Sequence, residues 1–250
     1  MTPLTSLRYP ALKTFSIARS GLYFVESLPL TILAQLFVGR GREEFADREK
    51  LRELWQAIVE LHEEDIQNIE RGLYPSRVLS PSSPARHVVG LMRLWKDAAE
   101  VAWRMRQRKF RDFRKQSEEF LEELPAYYRR NFHFQTDGYL SESSAHLYDH
   151  QVNVLFSGAA GAMRRLIIPP IRSQLKTLER AQILELGCGP GSATIALAQA
   201  FPKAKITALD LSSPYIKVAQ QRLQRFHRVD CVQGDAASLN FKDGTFDVVT

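Results

Sequence analysis

The chain has 250 residues, 44% of them hydrophobic and 25% charged, with two cysteines and a formal net charge of +6. That composition excludes a low-complexity or disulfide-stapled chain and leaves room for one large domain or two smaller ones. The mild basicity favours anionic surroundings, whether nucleic acid or acidic lipid, without choosing between them.

Residues 1–130 read as an all-helical N-terminal domain. Arg8, Lys13 and Arg19 precede the first acid, Glu26, which superficially suggests a targeting segment, but no small-residue cleavage site follows a clean apolar core. Ser20 to Gly39 is near the length of a membrane span, yet Glu26, Pro29 and Gln35 interrupt it, so a buried or interfacial helix is expected and no transmembrane segment. Leu51, Leu54, Trp55, Ile58, Val59, Leu61, Ile66 and Ile69 recur at helical spacing. Tyr74 to Arg86, with three prolines and four serines, predicts a loop before a second helical stripe of Met92, Trp95, Ala99, Ala102 and Met105. His62 opens a pattern close to H-E-x-x-H, but Ile66 stands where the second histidine is needed, and no metal site is expected.

A basic run follows at Arg104 to Lys115. On a helix, Arg104, Arg108, Arg111 and Lys115 share a face that suits RNA or anionic lipid, while Phe110 and Phe113 point elsewhere. Glu100, Glu118 and Glu119 lie at pairing distance and favour an ordinary solvated face. Asn131 to Gly158 then mixes aromatic and polar residues, among them Phe132, Phe134, Tyr139 and Tyr148, in a pattern suited to lining a pocket or to gluing helices onto a sheet. His133 and His146 in this link are weak candidates for substrate contacts.

From 183 onward the sequence turns to parallel α/β. Ile183 to Gly191, ILELGCGPG, reads as a buried strand ending at Glu185 and a turn with glycines at 187, 189 and 191, followed by a helix. A dinucleotide fingerprint needs a third glycine where Ser192 stands, and a P-loop needs a Lys-Ser or Lys-Thr that is absent. A second strand, Lys205 to Ser212, ends at Asp210 and Leu211, where a Rossmann-like site places a carboxylate on ribose hydroxyls. A third, VDCVQ, ends at Gly234, Asp235 and Ala236, and the Asp243-Gly244 turn leads to a fourth. Each acid alone reads as a cap or turn residue. Placed at consecutive strand ends, they read together as a ligand site. Cys188 lacks a neighbouring His or Lys and reads as a small residue of the turn.

Glu185, Gly187, Gly189 and Gly191 resemble the first motif, E/D-x-G-x-G-x-G, of class I S-adenosylmethionine-dependent methyltransferases. The link and sheet also resemble methyltransferase-domain proteins of cyanobacteria and plant plastids, which are close in style to the quinone-biosynthesis methyltransferases. It implies a Rossmann-like sheet, of which residues 131–250 would hold only the first four strands, preceded by the all-α region, and it implies S-adenosylmethionine as cofactor. The implied contacts are Glu185, Gly187, Cys188, Gly189 and Gly191 at the turn, Asp210 and Leu211 at the ribose, Asp235 and the backbone of Ala236 at adenine, and Tyr148 over the methionine end. Since a complete sheet of this kind has seven strands, a truncated product or fragment is expected.

The expected activity is methyl transfer to a small apolar or amphipathic acceptor in the cytoplasm. The alternatives are RNA methylation and a non-catalytic binding module. Peripheral contact with a membrane is compatible with any of them.

Overall fold

The computed structural model describes residues 3–38, 47–80, 84–107, 121, 124–129, 137–175 and 177–250. Among the described residues, six α-helices precede the sheet: α1 (Pro3–Val38), α2 (Arg48–Glu70), α3 (Pro84–Arg106), α4 (Glu142–Leu155), α5 (Ala160–Arg165) and α6 (Ile168–Gln174). Then come β1 (Gln182–Leu186), α7 (Ser192–Ala200), β2 (Lys205–Asp210), α8 (Ser213–Leu223), β3 (Val229–Gln233) and β4 (Val248–Val249). This is the expected architecture: an all-α region followed by a small parallel sheet.

Local chemistry sets the helix starts. The Asp47 carboxylate accepts from the Glu49 and Lys50 amides at 3.1 and 3.2 Å, Ser141 caps α4 through the Ser144 amide, and Ser212 caps α8 through the Tyr215 amide. The loop expected over residues 74–86 contains a short 3-10 turn, Ser76–Leu79, and gives way to α3 already at Pro84. Proline suits a first helical turn, because the amide it lacks would have no partner there.

The strand order is β3-β2-β1-β4, all parallel, with Glu185 opposite Ala208 and Asp210 opposite Gln233. Ile183, Leu184, Ile206 and Ala208 are almost fully buried, as expected of a parallel sheet covered on both faces. One apolar core joins Ile183, Leu197, Phe201 and Ile206 to Ile168 of α6 and to Ile66, Ile69, Tyr74 and Leu79 of the helical region. A second cluster, Tyr23, Leu94, Leu147 and Val154, joins α1, α3 and α4.

Polar groups tie the helices together inside. Arg165 of α5 makes a two-pronged bond to Asp65 of α2, Nε–Oδ1 2.8 Å and Nη2–Oδ2 2.6 Å, and the Tyr74 hydroxyl donates to the same carboxylate at 2.7 Å. His62 is buried and bonds Ser20 through Nε2 at 2.7 Å. Glu26 of α1 contacts His87 of α3 at 2.5 Å and lies 3.7 Å from His150 of α4.

Two sequence patterns face differently from a simple core stripe. Ser20 to Val38 belongs to α1, with Tyr23 buried but Leu22, Val25, Leu28 and Ile32 exposed. On α3, Ala102 is buried while Met92, Trp95 and Ala99 are exposed. Among the described residues no single helix is long and apolar enough to cross a membrane.

Candidate functional site

The carboxyl ends of β1, β2 and β3 converge on one cavity of about 320 Å³, within the range of small-molecule sites. Its floor is Gly187, Gly189, Leu209, Asp210, Leu211, Gly234 and Ala236, and its walls are Tyr127, Tyr128, Tyr139, Tyr148 and Tyr215. A tyrosine wall supplies flat apolar area with polar tips.

The turn after β1 is shaped by glycine. Gly187 has φ +67°, and a Cβ built there meets nothing within 4 Å, so the backbone is open to an approaching ligand. Gly191, at φ +82°, caps α7, and a Cβ there would come within 2.9 Å of Leu223 on α8. The first glycine keeps space for a ligand, and the last lets two helices close up behind it.

Asp210 ties the turn to the second strand. Its Oδ2 accepts the Gly189 amide and its Oδ1 the Ser212 amide, both at 2.8 Å. Burial raises its pKa, with the backbone bonds from Ser212 and Gly189 pulling the other way. The two oxygens together offer about four acceptor positions, and the Gly189, Ser212 and Leu211 amides all draw on them. Asp210 itself lines the cavity.

Glu185 lies behind the turn, 6% exposed, and Oε2 has no hydrogen-bond partner. Burial pushes its carboxyl up to about 7, with Thr194 and Arg164 offsetting only part of the effect. Burial likewise pushes the Cys188 thiol up, the opposite of an activated thiolate.

Helix α4 holds the site against the helical region. Tyr148 faces the cavity, while the adjacent Asp149 turns to the turn and α8. Asp149 bonds the Ser192 hydroxyl, takes Arg222 Nη1 at 2.7 Å and sits 3.2 Å from Arg164. Burial opposes its ionisation, but Arg222 and Arg164 outweigh that and hold its carboxyl below the usual range. Arg222 also donates to the Pro190 carbonyl at 2.9 Å, which pins the glycine turn from outside. Ser144, one turn earlier, bonds the Tyr215 hydroxyl at 3.0 Å.

The structure thus brings Gly187, Gly189, Asp210, Leu211, Ala236 and Tyr148 around one space. Glu185, Cys188, Gly191 and Asp235 do not line that cavity. Asp235 is engaged by Tyr127, whose hydroxyl donates at 2.6 Å to Oδ1, the same oxygen that accepts the Ala237 amide at 2.8 Å. His146 is exposed and off the cavity. His133, Phe132, Phe134, Phe110, Phe113, Arg108, Arg111 and Lys115 lie outside the described residues.

Sequence reasoning missed Tyr127, Tyr128 and Tyr215 as wall residues, and Arg222 and Arg164 as supports. The adjacent pair Tyr127-Tyr128 is the one local signal it could have used. Burial, and then the nearby Asp210 charge, push the Tyr128 phenol up, so it stays a neutral donor.

Residues 183–250 match a family model described as a methyltransferase domain. A demethylmenaquinone methyltransferase of Lactiplantibacillus plantarum is 35% identical over 115 residues, 44% of this chain and 47% of that protein. A malonyl-[acyl-carrier protein] O-methyltransferase of Anoxybacillus flavithermus is 40% identical over 76 residues, 30% of this chain and 26% of that protein. A solved structure of PKMT2 from Rickettsia typhi in complex with AdoHcy aligns at 27% identity over 29% of this chain and 15% of that one, with a TM-score of 0.27. The chain spans less than half the length of these curated relatives.

Proposed function

We propose that this chain, whose residues 183–250 carry a class I methyltransferase domain related to demethylmenaquinone methyltransferases, binds S-adenosylmethionine and serves methyl transfer to a small apolar or amphipathic acceptor. The observation that carries the reading is the meeting of Gly187, Gly189 and Asp210 at the floor of a cavity walled by five tyrosines. Open space at Gly187, the Asp210 carboxylate on the cavity lining and the partnerless oxygen of Glu185 fit a ligand with a diol and a cationic end.

When bound, the cofactor would supply a methyl group on a positively charged sulfonium, which passes to the acceptor's nucleophile as the S–CH3 bond breaks and the neutral thioether leaves. The protein's work is alignment. Asp210 would accept from ribose hydroxyls, with Leu211 beside it; Ala236 and Asp235 would hold the adenine end; the Gly187–Gly189 backbone would admit the chain between them. Glu185 would supply negative charge to the cationic end, with Cys188 and Gly191 shaping the turn. Tyr148 and Tyr139 would cover the methionine end and shield it from water. We assign residues 1–130 to a helical unit and 131–250 to the cofactor unit, and place the chain in the cytoplasm on its two unpaired cysteines.

The acceptor reading rests on tyrosines: their apolar faces with neutral hydroxyls suit a ring such as a quinone precursor better than a phosphate-rich polymer. The test is transfer of a labelled methyl group to small hydroxylated ring acceptors compared with RNA, across a salt series. Transfer to the small ring that is insensitive to salt supports the reading. Transfer confined to RNA and lost as salt rises contradicts it.

A second reading follows from the Tyr127–Asp235 bond, which engages the carboxylate proposed to meet adenine. A non-catalytic module would keep that bond permanently. It would then bind neither S-adenosylmethionine nor its homocysteine product.

A further inference from the structure

Helix α3 turns its apolar stripe outward. Val88, Met92, Trp95, Ala99 and Trp103 are spaced for one face, and Met92 and Trp103 are 67% and 62% exposed. The opposite face is packed, as Leu94 sits in the cluster with Tyr23 and Leu147 and a Cβ at Gly90 would come within 2.8 Å of His150, and Ala102 at the edge of the stripe is buried too. The exposed stripe is therefore not a core face left uncovered, because the core-facing side of this helix is already filled. Large contiguous apolar patches on a protein surface mark interaction sites.

The charges most exposed beside the stripe are basic, and the acids there are more covered. Arg93, Lys96 and Arg106 are exposed, whereas Asp97 and Glu100 are only partly exposed. From Val88 to Arg106 the face runs about 27 Å at 1.5 Å per residue. Tryptophans flanked by lysine and arginine, with methionine and valine between them, match the interface of an anionic bilayer. There indole rings sit at headgroup level, apolar side chains reach the acyl boundary, and cationic stems snorkel to phosphate. The net charge of +6 adds long-range attraction to the same surface.

We propose that the outer face of α3 is a docking surface for an anionic lipid bilayer, on which the protein lies peripherally. The inference stands on α3 alone and does not depend on methyl transfer. Neutral lipid would recover the apolar contacts but not the electrostatic attraction, so anionic headgroups dominate the partition.

The test is co-sedimentation of the chain with phosphatidylcholine vesicles, with and without phosphatidylglycerol, at low and high salt. Binding is expected to the mixed vesicles, to fall with salt, and to be weak on phosphatidylcholine alone. The double variant Arg93→Glu/Lys96→Glu is expected to lower the partition at least about tenfold, given a worth of roughly 1 kcal/mol per cation near the surface. Met92→Ser/Trp103→Ser is expected to lower it as well, with unchanged circular dichroism. Should either variant misfold, brominated lipid in the mixed vesicles provides a second readout on the unaltered chain, whose tryptophan emission is expected to be quenched. Failure of the unaltered chain to bind mixed vesicles, or absence of quenching, overturns the proposal. Lipid-free dimerisation lost in Met92→Ser/Trp103→Ser overturns it in favour of a self-interface, and RNA that displaces the chain from vesicles overturns it in favour of nucleic acid.

Discussion

The Tyr127 hydroxyl donates to Asp235 Oδ1 at 2.6 Å across 108 residues of sequence. The bond joins a wall residue of the cavity to the segment just after β3. It also draws the Asp235 carboxyl below its usual range and holds the Tyr127 phenol above its own. In the proposed cofactor placement, adenine and Tyr127 would compete for the Asp235 carboxylate. Tyr127→Phe is therefore expected to tighten binding of adenosine-containing ligands, measured by calorimetry, while leaving the melting temperature nearly unchanged because both groups are at the surface. Weaker binding in Tyr127→Phe would show that the phenol assists the ligand.

Asp210 joins the glycine turn to the second strand and faces the cavity. Asp210→Asn keeps one acceptor oxygen and loses the charge. A loss of cofactor affinity of about 1–3 kcal/mol, roughly fivefold to 150-fold in Kd, is expected. Calorimetry of the variant beside a thermal melt separates this loss from general unfolding.

Glu185 makes binding and stability depend on pH in opposite senses. Its pKa is about 7 in the fold against a model-compound value of 4.5, so between those values the folded chain binds more protons than the unfolded one. The stability contribution is full below about 4.5 and is lost as pH rises through about 7. A cationic ligand favours the ionised form, so its affinity is expected to rise over the same window. Melting curves and calorimetry from pH 5 to 8 check both slopes, and Glu185→Gln is expected to flatten both.

Much of the cofactor end was legible because it is local. A buried strand, a glycine turn and a following helix are specified within Ile183 to Ala200, and the β2 and β3 spans fell where alternation and turn residues placed them. Tyr139 and Tyr148 read as pocket-lining residues, but Tyr127, Tyr128 and Tyr215 do not, because they come from segments far apart in the chain and carry no shared spacing. Periodicity marked α3 as a helix but could not say which face turns inward. Gly90, a residue with no side chain to pattern, decides that by admitting His150.

Asp65 tests how the helical region is fastened to the rest. It is 1% exposed and receives both prongs of Arg165 as well as the Tyr74 hydroxyl. Asp65→Ala leaves a buried guanidinium without its counter-charge, and a destabilisation of about 3–5 kcal/mol is expected by chemical denaturation. Replacing both partners by apolar residues of similar volume is expected to recover most of that loss. A double variant no more stable than Asp65→Ala would point to the Tyr74 bond as the essential contact.

The most direct test of the cofactor assignment is calorimetric titration of the chain with S-adenosylmethionine, S-adenosylhomocysteine and NAD, repeated on Asp210→Asn. Binding of the first two, weaker or no binding of NAD, and a loss on substitution are the predicted result. NAD bound more tightly than S-adenosylmethionine, or S-adenosylmethionine binding unchanged in Asp210→Asn, would contradict the account.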